Sequence, residues 1–510
     1  MKQMTLDQER ALKIMRSGRN IFLSGAAGTG KSFLIDEYIR ENINKNVVVC
    51  APSGMAAVNI GGITIHRLFG VPTGILKIGD YNSNPSNVLV NSDIIIIDEI
   101  SMCRIDVFEY VLRTLKKTKD NKKAEGDRRH YHKQIILIGD FYQLPPVLKK
   151  EDKTEFLHQW GLMRNEDLFA FNSALWDELG LVNIILKTPI RQNDDRDYID
   201  NLNKIRMGDT SGIEWFNLHI QKEPLSDAVF LCSYKDKVKE INDIQVSRIP
   251  GECKCYNAEI TGYVNEKAIP VERELLLKHG MRVMTVVNNE DYQNGSIGYV
   301  TKTDDDYVEI KLINGRVIRV EPYVWEESNY ELKEEKVKRV VAGSFRQFPI
   351  KVAYAITIHK AQGQTLSLVN ITPDCFANGQ LYVALSRVKN AERMSISEAI
   401  DENALRTSKA VYRFYDDIDD ELLGYELDEH KWDEDKNKEG LINEVDVIFS
   451  YALQIKKIRD QAYWTWTDEE DDRLREEWAN GMSIAEIARS HDKNIGAIRV
   501  RLNNIALHEN

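Results

Sequence analysis

The chain lacks any run of about 18 consecutive apolar residues, so no transmembrane helix is expected. Its opening residues, MKQMTLDQER, carry no apolar signal-peptide core. Cysteine is scarce: six in 510 residues, at positions 50, 103, 232, 253, 255 and 375. Only Cys253 and Cys255 lie close together, and no second pair completes a zinc site. Reduced thiols of a cytoplasmic protein are therefore expected. No tandem repeat at a solenoid period is present. Positive charge is also short, because 68 basic against 80 acidic residues leave a net charge of −12. That deficit is local. Asp416–Glu439 holds twelve acidic and three basic residues, so the rest of the chain is near −3 (−12 minus −9). A basic groove for nucleic acid is thus not excluded.

What is present begins with GAAGTGKS at Gly25–Ser32. It fits G-x-x-x-x-G-K-[ST], follows the apolar run Ile21-Phe22-Leu23 and precedes the helical Phe33-Leu34-Ile35. In that setting Gly25, Ala26, Ala27, Gly28, Thr29 and Gly30 present backbone N–H groups to phosphates. Lys31 reaches the β- and γ-phosphates, and Ser32 can hold Mg²⁺. The strand IIIIDEIS ends in Asp98 and Glu99, which suit a metal-binding carboxylate and a general base. QIILIGD leads into FYQLPPV and puts Gln143 where it can sense a γ-phosphate. A permanently charged guanidinium suits the transition state of phosphoryl transfer. Arg191 in LKTPIRQ and Arg387 in LYVALSRV are the candidates. If both reach the nucleotide, ATP sits in a cleft between two halves, as in a motor.

A length of 510 residues suggests roughly three or four domains. NIFLS, NVVVCA, DIIIID and QIILIG predict parallel strands of an α/β sheet; LVNIIL, AVFLCS and LVNIT (368–372) predict a second one. The stretch 294–326 predicts short antiparallel strands joined by NGS, DDD and NG turns, a small barrel. The basic block Lys116–Lys133 reads as a loop, either solvated or facing DNA. Residues 416–440 read as a linker or flexible helix. In the tail, Thr467 with Glu470 and Ser483 with Glu486 form capping boxes, and Asn494 can cap a third helix. Apolar spacing over Leu474, Trp478, Ile484, Ile487, Ala488, Ile498 and Leu502 predicts a three-helix, helix-turn-helix-like unit. Its third helix, 494–505, carries Arg499 and Arg501, and Lys493 sits just before it.

GAAGTGKS, APSGMAAVNIGGITIHRLFG, IIIIDEISM, LIGDFYQLPPV, AITIHKAQGQTL and LYVALSRVKN occur in the order of helicase motifs I, Ia, II, III, V and VI. The chain resembles superfamily 1B DNA helicases of the Pif-one (petite-integration-frequency) family, relatives of the RecD helicases, over roughly residues 1–410. The resemblance implies an ATP- and Mg²⁺-dependent motor that moves 5′→3′ on single-stranded DNA and separates tailed duplex or structured DNA. It implies an α/β fold with two RecA-like P-loop domains: 1A over 1–180, with a wedge 1B near 71–92, and 2A over 181–293 and 347–410. An SH3-like 2B barrel would occupy 294–346, followed by an acidic linker at 411–460 and the tail domain at 461–510. Gln8 would read adenine, and Gly363 would join Arg387 at the nucleotide. Pro52, Ser53, Thr64, His66, His359, Lys360 and Gln362 would contact DNA phosphates without reading sequence. A monomer is expected, with a dimer on DNA as the alternative. A 3′→5′ motor and a non-motor ATP switch are the competing readings.

Overall fold

Two parallel sheets dominate the chain, and the apolar runs explain both. The computed structural model describes residues 4–418 apart from 73, 77–79, 82–83, 125–132, 161–167, 191–194 and 335. Beyond them it describes 420, 422, 468–479, 482, 487, 490 and 491. In the first sheet the strands are β1 (Ile21–Gly25), β2 (Val47–Ala51), β3 (Ile63–Thr64), β4 (Ile94–Ile97), β5 (Gln134–Ile138) and β6 (Val182–Leu186), in the order β3-β2-β4-β5-β1-β6. All neighbours pair in parallel. β1, β4 and β5 are buried along their whole length, as strands covered on both faces must be. One face packs on the helix Lys31–Glu41 through Leu34, Ile35 and Tyr38, the other on the helix Ile105–Ala124 through Phe108 and Val111.

β6 corrects the expectation drawn from sequence. LVNIIL was expected to open the second lobe, with a boundary at residue 180. It instead pairs with β1 from Ile21↔Val182 to Gly25↔Leu186 and forms the first sheet's edge. An apolar strand carries no mark of which parallel sheet it joins.

The second sheet consists of β7 (Val229–Cys232), β18 (Ala355–Thr357), β19 (Val369–Ile371) and β20 (Met394–Ile396), parallel in the order β18-β7-β19-β20. Its core includes Leu231, Ile356, Val369 and Leu385, together with Tyr198, Leu202 and Ile205 from the helix Arg196–Arg206.

Antiparallel strands lie between β7 and β18 in sequence, as the turn chemistry predicts, but they reach beyond 294–346. β11 (Arg282–Thr285), β12 (Ile297–Thr303), β13 (Val308–Leu312), β14 (Val317–Val320) and β17 (Ile350–Val352) form one sheet in the order β14-β13-β12-β11-β17. β8 (Lys254–Asn257) and β10 (Glu274–Leu277) pair with each other, and their Tyr256, Leu275 and Leu277 share a core with Val283, Val300, Ile310 and Ile350. β15 (Tyr323–Lys333), β16 (Lys336–Gln347) and β9 (Glu259–Gly262) form a third sheet. The long β15–β16 hairpin leans on the first lobe: Tyr330 Oη accepts from Val49 N–H at 3.1 Å, and Arg67 pairs with Glu327.

Three further expectations change. The helix Ile105–Ala124 takes up the first half of the basic block. Lys133 at its end is buried and donates to Leu89 O (2.7 Å) and Ser92 Oγ (2.8 Å), so it faces no DNA; residues 125–132 lie outside the described residues. The segment assigned to a linker from 411 starts inside a helix, Lys409–Asp417. Its Val411 and Phe414 are buried in the first lobe's core, where the Phe414 ring stacks on Phe171 at 4.4 Å. The chain then lies along β6, with a parallel bridge Asn183↔Asp420 and Leu422 buried. Residues 423–467 lie outside the described residues.

In the tail a helix spans Asp468–Ala479, Leu474 and Ile487 are fully buried, and Glu477 accepts from Ser490 Oγ at 2.7 Å and pairs with His491 at 2.9 Å. Thr467, Ser483, Glu486, Lys493, Asn494, Arg499 and Arg501 lie outside the described residues, as do parts of the 71–92 wedge.

Candidate functional site

The loop from β1 to the helix Lys31–Glu41 is built by glycine. Gly28 (φ 86°) and Gly30 (φ 81°) hold left-handed backbone, where a side chain is strained. A Cβ on Gly30 would also come within 2.9 Å of Ile190 Cδ1, and one on Gly25 within 2.7 Å of Leu186 O. Lys31 folds back over the loop and donates to Gly25 O (2.7 Å) and Ala26 O (3.3 Å). Burial lowers its pKa, while Asp140, Glu99 and Asp98 hold it up. Ser32 is exposed in the first turn of the helix, whose orphan N–H groups and dipole favour an anion.

The carboxylates stand opposite, at the end of β4. Burial pushes Asp98 up to about 7, and the charge of Glu99 adds to the shift. Glu99 holds left-handed backbone (φ 51°, ψ 44°), one of three non-glycine residues among those described to do so. Strain of that kind costs about 1–3 kcal/mol and persists only where the surroundings enforce it. Here Glu99 N–H donates to Asp98 Oδ1 at 2.9 Å, and Gln362 Nε2 donates to Glu99 Oε2 at 3.2 Å. Burial raises the Glu99 pKa, while Lys31, Arg387 and the Gln362 hydrogen bond oppose the rise. A buried carboxyl with a raised pKa suits a general base.

The second lobe meets the first at this loop. Tyr382 Oη accepts from Ala27 N–H at 2.8 Å. Arg206 forms a two-pronged pair with the buried Asp140, Nε to Oδ2 at 3.2 Å and Nη2 to Oδ1 at 2.9 Å. Gln143 Nε2 donates to the same Oδ2 at 3.3 Å. The strap at 409–417 supplies Tyr415, which bonds Ser24 Oγ (2.6 Å) and accepts from Phe141 N–H (3.2 Å).

Several residues chosen from sequence have other partners here. Gln8 is fully buried; Nε2 donates to Thr29 O (3.0 Å) and Oε1 accepts from Thr5 N–H (3.1 Å), so its amide braces the phosphate loop. Arg387 is buried and donates to Val383 O (2.6 Å), Ala361 O (3.1 Å), Gln364 O (3.2 Å) and Ser386 Oγ (2.6 Å). Its charge reaches Glu99 through the pKa it depresses there. Arg191 lies outside the described residues, but its neighbour Ile190 donates to Gly28 O at 2.9 Å, which brings that segment to the phosphate loop. Gln362, expected at DNA, donates to the carboxylate of Glu99 here. Gly363 (φ 77°) faces Asn59 of the first lobe, 3.9 Å from where its Cβ would be.

Ser53 and Thr64 accept from Ala56 N–H (3.2 Å) and Arg67 N–H (3.3 Å) as helix caps. Pro52 is half-buried beside Ser53, and Lys360 is exposed. His66 and His359 are half-buried, with pKa values lowered by burial, so neither supplies a full charge at neutral pH. Arg206, Tyr382 and Tyr415 escaped the reading of the sequence. Tyr382 sits within LYVALSRV and could have been singled out there; an arginine ending a helix and an aromatic beside an acidic run carry no comparable signal.

Among the described residues no three His, Cys, Asp or Glu side chains cluster to hold a metal unaided. Asp98 and Ser32 beside a phosphate loop fit Mg²⁺, which keeps waters and takes phosphate oxygens as ligands.

A family model described as PIF1-like helicase matches residues 3–213. The ATP-dependent DNA helicase Pif1 of Campylobacter jejuni is 33% identical over 414 residues, covering 74% of this chain and 88% of that protein. The Xenopus laevis PIF1 helicase is 29% identical over 440 residues, and the match takes in 64% of its length, under two thirds. A crystal structure of Bacteroides sp Pif1 with ADP-AlF4 overlays with a TM-score of 0.72 at 31% identity, over 81% of this chain and 97% of that one. Bacteroides Pif1 bound to single-stranded DNA overlays at 0.57 with 32% identity, over 81% and 96%.

Proposed function

The chain belongs to the PIF1-like family of ATP-dependent DNA helicases, and from that premise we propose that it moves 5′→3′ on single-stranded DNA and separates tailed duplex or structured DNA. One observation carries the reading: the second lobe reaches the phosphate loop itself, through Tyr382 on Ala27, Gln362 on Glu99 and Arg206 on Asp140. A nucleotide bound there is contacted from both sides. Its cleavage then changes how the lobes meet, which is the requirement of a motor.

In this reading Lys31 and the backbone of Gly25–Gly30 bind the β- and γ-phosphates. Ser32 and Asp98 hold Mg²⁺, which neutralises charge on the phosphates when bound. Glu99, poised by Gln362, takes a proton from the attacking water. Gln143 touches the γ-phosphate, and Arg191 and Arg387 stabilise the negative charge of the transition state. Pro52, Ser53, Thr64, His66, His359 and Lys360 face the strand; Gln362 is assigned to Glu99 instead. Single-stranded DNA is the expected partner by likeness to the Bacteroides complex. The chain works as a monomer or as a pair at a fork, in the cytoplasm on the nucleoid. Forks, G-quadruplexes and RNA–DNA hybrids are its candidate structured substrates, in repair, replication, recombination or telomere maintenance. The two lobes correspond to RecA-like domains 1A and 2A, and the antiparallel insertion to an SH3-like 2B. The tail at 461–510 aids loading, so its deletion weakens DNA binding while ATP turnover per bound strand stays intact.

The test is unwinding of a 5′-tailed against a 3′-tailed duplex. Preference for the 5′ tail supports the reading; preference for the 3′ tail refutes the polarity, and slow ATPase indifferent to DNA refutes the motor.

A further inference from the structure

Arg206 and Asp140 join the two lobes; Asp140 lies within LIGDFYQLPPV, whereas Arg206 lies outside the six motifs quoted above. Arg206 ends the helix Arg196–Arg206, whose Tyr198, Leu202 and Ile205 are rooted in the second lobe's core. Asp140 follows β5 of the first lobe and is 1% exposed. Its two oxygens take four hydrogen bonds: two from Arg206 at 3.2 and 2.9 Å, one from Tyr142 N–H at 3.2 Å and one from Gln143 Nε2 at 3.3 Å. Oδ2 is thus shared between a guanidinium of one lobe and the Gln143 amide of the other. The guanidinium also lies over the Tyr142 ring, 4.4 Å from its centroid, and Tyr142 stacks on Tyr415 at 4.7 Å. A planar, forked cation matches this seat; an ammonium does not.

We infer that Arg206 is a positioning residue for nucleotide hydrolysis: by holding Asp140 from the opposite lobe, it fixes the carboxylate that bonds the Gln143 amide and so sets Gln143 in the closed cleft. The inference rests on the reading of Gln143 as the γ-phosphate contact. A buried carboxylate that loses its partner seeks another, because burying an unpaired charge is strongly unfavourable. Without Arg206 the named donors left to Asp140 are Tyr142 N–H and the Gln143 amide, and the Gln143 amide is the one the γ-phosphate needs. When the lobes part, Arg206 leaves with the second lobe. Asp140 and the Gln143 amide bonded to it then lose their anchor, so the pair ties cleft opening to release of the γ-phosphate contact.

The experiment is a kinetic cycle on the full chain with saturating single-stranded DNA, using Arg206→Gln, Arg206→Lys, Gln143→Ala and the Arg206→Gln/Gln143→Ala double variant. Arg206→Gln is expected to lower kcat about tenfold or more with KM for ATP within about twofold, and the double variant is expected to be no slower than Gln143→Ala. Arg206→Lys should recover part of kcat through its charge. Losses that multiply in the double variant, or a raised KM at unchanged kcat, overturn the inference in favour of simple lobe adhesion. A wild-type kcat in Gln143→Ala overturns the underlying reading of Gln143 instead. If Arg206→Gln unfolds by thermal scan, Arg206→Lys takes its place in the same cycle, with a smaller loss of kcat expected and the same two results overturning the inference.

Discussion

The strap at 409–417 makes a stability prediction that a linker would not. Phe414 is 8% exposed, and its ring meets Phe22 at 5.6 Å, Phe141 at 5.2 Å, Phe171 at 4.4 Å and Trp176 at 5.6 Å. Phe414→Ala removes that ring from a close-packed cluster, at a cost of about 3–5 kcal/mol. In a unit of this size each kcal/mol lowers the melting temperature by roughly 2–4 °C, so a drop of roughly 6–20 °C is expected. Tyr415→Phe is gentler. It strips the hydroxyl from Ser24 Oγ and Phe141 N–H, and a buried group left unpaired costs about 1–3 kcal/mol. Lys409→Ala, at an exposed position on the same helix, is the control and should stay within about 0.5 kcal/mol. Differential scanning fluorimetry of the full chain reads all three. If Phe414→Ala melts with the wild type, the strap does not belong to the first lobe's core and the reasoning fails.

Other outcomes follow from the site. Lys31→Ala should leave DNA binding largely intact in a filter-binding assay and abolish strand separation; an unwinding Lys31→Ala protein contradicts the mechanism. Gln362→Ala should slow DNA-stimulated ATP hydrolysis by about tenfold, the worth of one hydrogen bond to a charged group, with single-stranded DNA affinity within about twofold. The reverse pattern would return Gln362 to the DNA groove. Because burial raises the Asp98 pKa to about 7, a proton competes with Mg²⁺ below that pH. The Mg²⁺ concentration for half-maximal ATPase should therefore rise as pH falls from about 8 to about 6, and a flat dependence would remove Asp98 from the metal.

Much of the site was legible because its chemistry is local. A phosphate loop needs glycines and a lysine within eight consecutive residues, and strands β1, β2, β4 and β5 announce themselves as β-branched runs. What stayed hidden depends on packing. LVNIIL fits either sheet equally well, and only its pairing with β1 decides. The strap is a nine-residue helix beside an acidic run whose composition masks it. Motif position singles out Gln8 and Gln362 but not their partners, because an amide bonds whatever the fold brings near it: Thr29 O for one and Glu99 for the other. Arg206 is ordinary in sequence and becomes special only because Asp140 is buried opposite it. The antiparallel insertion outgrew 294–346 because β8–β11 and β17 are recruited from flanking segments whose turns carry weaker signals.

The central claim is that ATP is held between two lobes that both act on it. A crystal structure of this chain with Mg²⁺ and ADP–AlF4⁻ tests it most directly. The expected result puts the guanidiniums of Arg191 and Arg387 within hydrogen-bond reach of the fluoroaluminate while Lys31 and Gln143 contact it from the other side. A fluoroaluminate touched by first-lobe groups alone, with both second-lobe arginines remote, would contradict the account.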